Sequence, residues 1–196
     1  MKLIINKKMY ILKFHKNLKV KMAVFTKLHR NEIEDFVNLY SIGTLDDYFE
    51  IIDGIENTNY KIICNGIPYI LTIFEKRVNE KDLPFFVNLK LYLNQNNFKC
   101  PRPIKNNDNE IINVIKNKKA IIISYIEGKK VIFPTINECF EVGKMLSKLH
   151  NLTKNFEDKR KNSLDIKDWQ ELLKKCENNE NDKFNILIND LKNEIN

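Results

Sequence analysis

The 196-residue chain lacks most of the features that point a sequence toward a simple class. No apolar run approaches the roughly 20 residues of a membrane-spanning helix; the longest, such as 120–124, are strand-sized. Its four cysteines, Cys64, Cys100, Cys139 and Cys176, lie more than thirty positions apart. No pair therefore has the close spacing of a zinc site or a redox motif, and reduced thiols are expected. The three histidines, His15, His29 and His150, are equally scattered. No Gly-Lys-Ser/Thr follows any glycine-containing turn, which excludes a Walker-type phosphate loop. Internal repeats are absent.

Acidic residues are also missing from one place. Residues 1–21 contain seven lysines and no Asp or Glu. Taking those seven from the 33 Lys and Arg leaves 26, against 26 Asp and Glu. The formal charge of +7 thus resides in the first 21 residues, and no basic groove for nucleic acid is expected in the fold. The arm lacks the amphipathic spacing and arginines of a transit peptide and the unbroken apolar core of a signal peptide. Met22 is the expected start, with residues 1–21 an extension; a basic arm touching RNA or a membrane surface is the functional alternative.

What the chain does have is a change of hydrophobic period. Ala23-Val24-Phe25 reads as a strand. Ile33, Phe36, Val37 and Tyr40 form a helical stripe behind a cap at Asn31, with Gly43 closing it. Residues 48–52, 60–64 and 68–74 then alternate as three strands, the last two joined by Asn65-Gly66, a hairpin signal. A helix begins at Asn79 or Asp82, with Leu83, Phe85, Phe86, Leu89, Tyr92 and Leu93 inward. Pro101-Arg102-Pro103 is extended. A second hairpin joins 111–115 to 120–126 around Asn117-Lys118-Lys119. Thr135 to Glu138 fits a capping box and opens a helix bearing Phe140, Val142, Met145, Leu146 and Leu149. Two further helices follow, near 167–177 and 182–195, with Trp169 and the Phe stripe read as core. The order predicts an α+β fold: a five-stranded antiparallel sheet with one cross-packed helix, then helices of an incomplete second lobe, a kinase-like layout. The expected divisions are 1–21, 22–128 and 129–196.

Particular motifs sharpen this. They are Met22 to Thr26, Gly54-Ile55-Glu56-Asn57-Thr58-Asn59-Tyr60, Tyr69 to Val78 (YILTIFEKRV), Asp82-Leu83-Pro84-Phe85-Phe86, Cys100 to Ile104, Ser124-Tyr125-Ile126-Glu127-Gly128 and Gly143 to His150. In this order and spacing they resemble the bacterial homoserine kinases that share the aminoglycoside and choline kinase fold, from Met22 to about Leu152 and more weakly beyond. The resemblance implies ATP-dependent phosphorylation of L-homoserine, a step toward threonine, by a cytoplasmic enzyme with ATP and Mg2+ and no nucleic-acid or membrane partner.

It also implies roles. The turn carrying Gly54, Glu56, Asn57, Thr58 and Asn59 would lie over the ATP phosphates; its bland reading is an ordinary Gly/Asn turn. Thr72 occupies the strand position that is basic in related phosphotransferases, so Lys76 or Arg77 would supply the cation, with Glu75 pairing either. Backbone groups of Ser124, Tyr125 and Ile126 would meet the adenine edge; the bland reading is a plain strand end. His150 is read as a packing or helix-end residue. The His-x-Asp-x-x-x-x-Asn loop and later Asp that orient the acceptor and hold Mg2+ are not found in this sequence. The resemblance therefore implies a truncated or split kinase that binds nucleotide without turnover, with a complementary C-terminal chain as partner. A related choline- or aminoglycoside-type kinase and a non-catalytic nucleotide-binding remnant are the alternatives.

Overall fold

The computed structural model describes residues 24–52, 56–75, 79–162, 165–176 and 182–195. They form two compact units that divide between Asp158 and Lys159.

The first unit is built on a five-stranded antiparallel sheet. Its strands are β1 (Leu45–Ile51), β2 (Thr58–Cys64), β3 (Ile67–Ile73), β4 (Asn113–Ile115) and β5 (Lys118–Ser124), in the spatial order β1-β2-β3-β5-β4. Tight turns set the register. Asn65 and Gly66 both adopt positive φ (47° and 74°), the conformation a two-residue hairpin demands, and they pair Cys64 with Ile67. The second hairpin uses Lys116 and Asn117 (φ 47° and 59°). The turn falls one residue earlier than the sequence suggests, because Asn tolerates the left-handed region and Lys119 is needed in the ladder opposite Val114.

Alternation along β2 decides which face is which. Thr58, Tyr60, Ile62 and Cys64 are all buried, and the last three pack with Leu71, Ile73, Ala120 and Ile122. The helix α1 (Arg30–Val37) closes this face through Ile33, Phe36 and Val37. The main core therefore lies under α1, and the later helix α2 (Leu83–Gln95) does not belong to it. The cap of α1 is His29, whose N–H donates to the Glu32 carboxylate at 2.7 Å, in place of the expected Asn31.

Of the strand expected at Ala23-Val24-Phe25, Ala23 lies outside the described residues, and Val24 and Phe25, like residues 26–28, join no ladder. Side chains satisfy their backbone instead. Thr58 Oγ1 accepts from the N–H groups of Phe25 (3.0 Å) and Thr26 (3.1 Å). The Tyr60 hydroxyl accepts from Leu28 N–H and donates to the Thr26 carbonyl, both at 3.0 Å. Residues 101–104 are extended as expected: Pro103 bridges Ile123, and Ile104 N–H donates to the Ile122 carbonyl at 2.9 Å.

Thr135 caps α3 (Ile136–Thr153) as the capping box predicts. Its N–H donates to the Glu138 carboxylate at 2.7 Å, and its Oγ1 accepts from Glu138 N–H at 3.3 Å. The apolar stripe of α3 is uncovered in this unit, with Phe140 and Leu146 both exposed. His150 is exposed in the last turn. The second unit contains α4 (Ile166–Cys176) and α5 (Asp182–Ile195), which pack on each other. Ile188 is buried there, whereas Trp169, read as core, is 45% exposed.

Candidate functional site

The face of the sheet opposite the core carries the second set of side chains from the same strands, since a strand alternates its residues between faces. Asn59 of β2, Thr72 of β3 and Ile121 and Ile123 of β5 line a cleft of about 380 Å3. Glu56 and Asn57, from the turn before β2, and Phe74, just past β3, extend its walls. The remaining wall is α2, which contributes Phe86, Val87 and Lys90. Pro84 at the start of α2 suits a helical first turn, where no N–H is needed. Phe86 and Lys90 follow at the i, i+4 spacing that places two side chains on one side of a helix.

Polar and apolar groups both line the cleft. The Thr72 hydroxyl donates to Asn59 Oδ1 at 2.8 Å, and Asn57 Oδ1 accepts from Glu75 N–H at 3.4 Å. Around them stand Ile121, Ile123, Val87 and two phenyl rings. A ligand that combines an apolar ring with anionic or hydroxylated groups suits such a lining.

Four residues singled out from the sequence meet in this cleft: Glu56, Asn57, Asn59 and Thr72. Thr58 does not. Alternation turns it to the core face, where it is fully buried and donates to Glu75 Oε1 at 2.7 Å. Ser124, Tyr125 and Ile126 also lie outside the lining. Ser124 exchanges two hydrogen bonds with Arg102: its N–H donates to the Arg102 carbonyl (2.8 Å) and its Oγ accepts from Arg102 N–H (2.9 Å). The Tyr125 ring lies under Lys61 Nζ at 4.7 Å, a cation–π distance. Gly54 and Lys76 fall outside the described residues, as does Arg77.

Glu75, expected to pair with Lys76 or Arg77, meets a different cation. Its side chain is 8% exposed. One oxygen accepts from the hydroxyls of Thr26 and Thr58, both at 2.7 Å; the other pairs with Lys118 Nζ. Lys118 also donates to Thr26 Oγ1 at 2.6 Å. Burial alone would push the Glu75 carboxyl up, but the bonds from Lys118, Thr26 and Thr58 outweigh it and hold the group below the ordinary carboxylate range. This latch ties residues 24–26, β2, the end of β3 and the start of β5 together behind the cleft.

Sequence reasoning missed Lys90. Its signal was a lysine at i+7 from Leu83 and i+3 from Val87, both buried, on a stripe that should be apolar throughout.

Comparison with known proteins places the chain among phosphotransferases. The sequence pattern of the phosphotransferase enzyme family matches residues 49–193. The homoserine kinase of Bartonella tribocorum is 41% identical over 156 residues, covering 80% of this chain and 49% of that protein. The homoserine kinase of Agrobacterium fabrum is 35% identical over 156 residues, covering 80% and 48%; that of Brucella ovis is 37% identical over 158 residues, covering 79% and 48%. The chain thus spans about half the length of the curated relatives it matches. Among solved structures, a spectinomycin phosphotransferase crystallised with ADP and spectinomycin superposes with a TM-score of 0.58 at 15% identity, over 81% of this chain and 50% of that one. That likeness is one of fold and supports the kinase-like first lobe.

Proposed function

The chain belongs to the phosphotransferase enzyme family, and from that premise we propose that it is the nucleotide-binding part of a homoserine kinase. In this reading the whole enzyme transfers the γ-phosphoryl group of ATP to the hydroxyl of L-homoserine, a cytoplasmic step toward threonine. The observation that carries the acceptor is the 41% identity to a homoserine kinase over 80% of the chain.

The lining of the cleft supports this reading. The purine would rest against Ile121, Ile123 and Val87, and the phosphates would point toward Asn57 and Asn59, whose amide N–H groups can donate to phosphate oxygens. Phosphoryl transfer is a matter of positioning and charge stabilisation more than covalent chemistry, and these residues provide positioning. Among the described residues no three of His, Cys, Asp and Glu gather to hold a cation. The described residues therefore do not compose a Mg2+ site by themselves. Nor does residues 1–196 contain a His-x-Asp-x-x-x-x-Asn segment, so this polypeptide by itself should bind ATP without turning it over.

Joining residues 22–196 to the C-terminal half of the Bartonella tribocorum homoserine kinase tests the reading. The chimaera should transfer phosphate from ATP to L-homoserine and leave choline and spectinomycin untouched. A chimaera that folds and phosphorylates either of those acceptors instead would overturn the homoserine assignment.

A further inference from the structure

In kinase-like folds a lysine on the third strand faces the phosphates and is held by a glutamate on the neighbouring helix. Neither partner is present at the corresponding places in this cleft. The strand position holds Thr72, an uncharged side chain 8% exposed and committed to Asn59 Oδ1. The helix α2, LPFFVNLKLYLNQ, contains no acidic residue. It contains a cation instead. Lys90 lies on the inward stripe with Leu83 and Val87, is half-buried, and is the single cation among the described residues that line the cleft. No described carboxylate lies within ion-pairing distance of its ammonium. Its stem packs along the inward stripe while the ammonium has no carboxylate partner among the described residues, and an anionic ligand entering the cleft would supply a counter-charge.

We propose that Lys90 is the phosphate-contacting cation of this site, delivered from the helix rather than from the third strand. The inference rests on the nucleotide reading above and names the residue that makes the cleft selective for the phosphorylated form of its ligand. With the charge on α2, the strand has no need of lysine at position 72, and the helix has no need of a glutamate to hold one. Lys90 is then a binding residue that orients the phosphates; Asn57 and Asn59 contact them from the opposite wall.

Calorimetric titration of the full chain with ATP and, separately, with adenosine tests this. Lys90→Met keeps the apolar stem and removes the charge; Lys90→Gln serves as a second neutral variant, Lys90→Arg as the charge-conserving one, and Lys76→Met as the rival cation. Each neutral variant should weaken ATP binding about tenfold with adenosine affinity unchanged, because one charge-assisted contact is lost. Lys90→Arg should stay within about threefold of the unsubstituted chain, and the salt dependence of ATP binding should become shallower in Lys90→Met. Three results would overturn the proposal while leaving nucleotide binding in place. They are unchanged ATP affinity in both neutral variants, an equal loss for ATP and adenosine, or a charge-specific loss in Lys76→Met alone. Failure of the unsubstituted chain to bind either ligand would instead overturn the nucleotide reading itself.

Discussion

Removing Lys118 should expose how much the latch behind the cleft contributes. In Lys118→Met the Glu75 carboxylate stays buried at 8% exposure and keeps only its two hydroxyl bonds, from Thr26 and Thr58. Breaking a fully buried ion pair by removing one partner costs about 3–5 kcal/mol. Lys118 is itself 36% exposed, so water screens part of the pair, and the hydroxyl bonds remain. We expect a loss of about 2 kcal/mol, which lowers the melting temperature of a unit this size by about 5–8 °C. Far-UV circular dichroism reads the loss. The fluorescence of Trp169, the sole tryptophan, lies in the second unit and should report an unchanged environment at room temperature. The double variant Glu75→Gln, Lys118→Met should recover part of the loss, since it removes the stranded charge. Acid dependence supplies a second signature. The folded-state Glu75 carboxyl lies below its unfolded value, so its contribution is complete above the unfolded carboxylate value of about 4.3. It is lost as pH falls from there through the folded value. Lys118→Met should flatten that acid limb. A variant that melts within about 1 °C of the unsubstituted chain, with the same acid limb, would show that the Glu75–Lys118 pair does not stabilise the unit.

Other consequences are independent of the latch. Gly43 has φ 93°, and a Cβ there would meet Asn65 Cγ at 2.3 Å, displacing the side chain that accepts from Thr44 N–H at 3.0 Å. Gly43→Ala should therefore cost about 3 kcal/mol in urea unfolding, whereas Gly66→Ala, with φ 74° but nothing within 4 Å, should cost about 1. Thr72→Val removes the 2.8 Å bond to Asn59 and should cost about 1 kcal/mol while weakening ATP binding by freeing the Asn59 amide; unchanged affinity would show that this bond does not orient it. In thiol titration at pH 8, exposed Cys139 and Cys176 should react first. Cys64, pushed up to about 11 by burial and then by the Asp46 carboxylate, should react only on unfolding.

The strands and turns of the sheet were legible because short-range signals encode them. Asn65-Gly66 announces its own positive φ, and Thr135 with Glu138 announces its own cap. Sites on strands were harder, because adjacent residues face opposite ways. Asn57, Thr58 and Asn59 look alike in sequence, yet Thr58 belongs to the core and Asn59 to the cleft. The partner of Glu75 was illegible for another reason: Lys118 is 43 positions away, brought close only when β5 pairs with β3. Likewise Val24-Phe25 looks like part of a strand, but residues 25–28 are held by Thr58 and Tyr60 side chains, and no propensity foretells a side chain standing in for a ladder. The exposed stripe of α3 shows the reverse case, a correct helical period whose burial is not set by the helix itself.

A nucleotide held in the cleft between the sheet and α2 would shield the backbone around it. Hydrogen exchange of the full chain with and without ATP would register that shielding. ATP should slow exchange in the segments that line the cleft, residues 56–59, 72–74, 86–90 and 121–123, and leave α1 and the α4–α5 unit unchanged. Protection confined to other segments, or no protection at saturating ATP, would contradict a nucleotide site in this cleft.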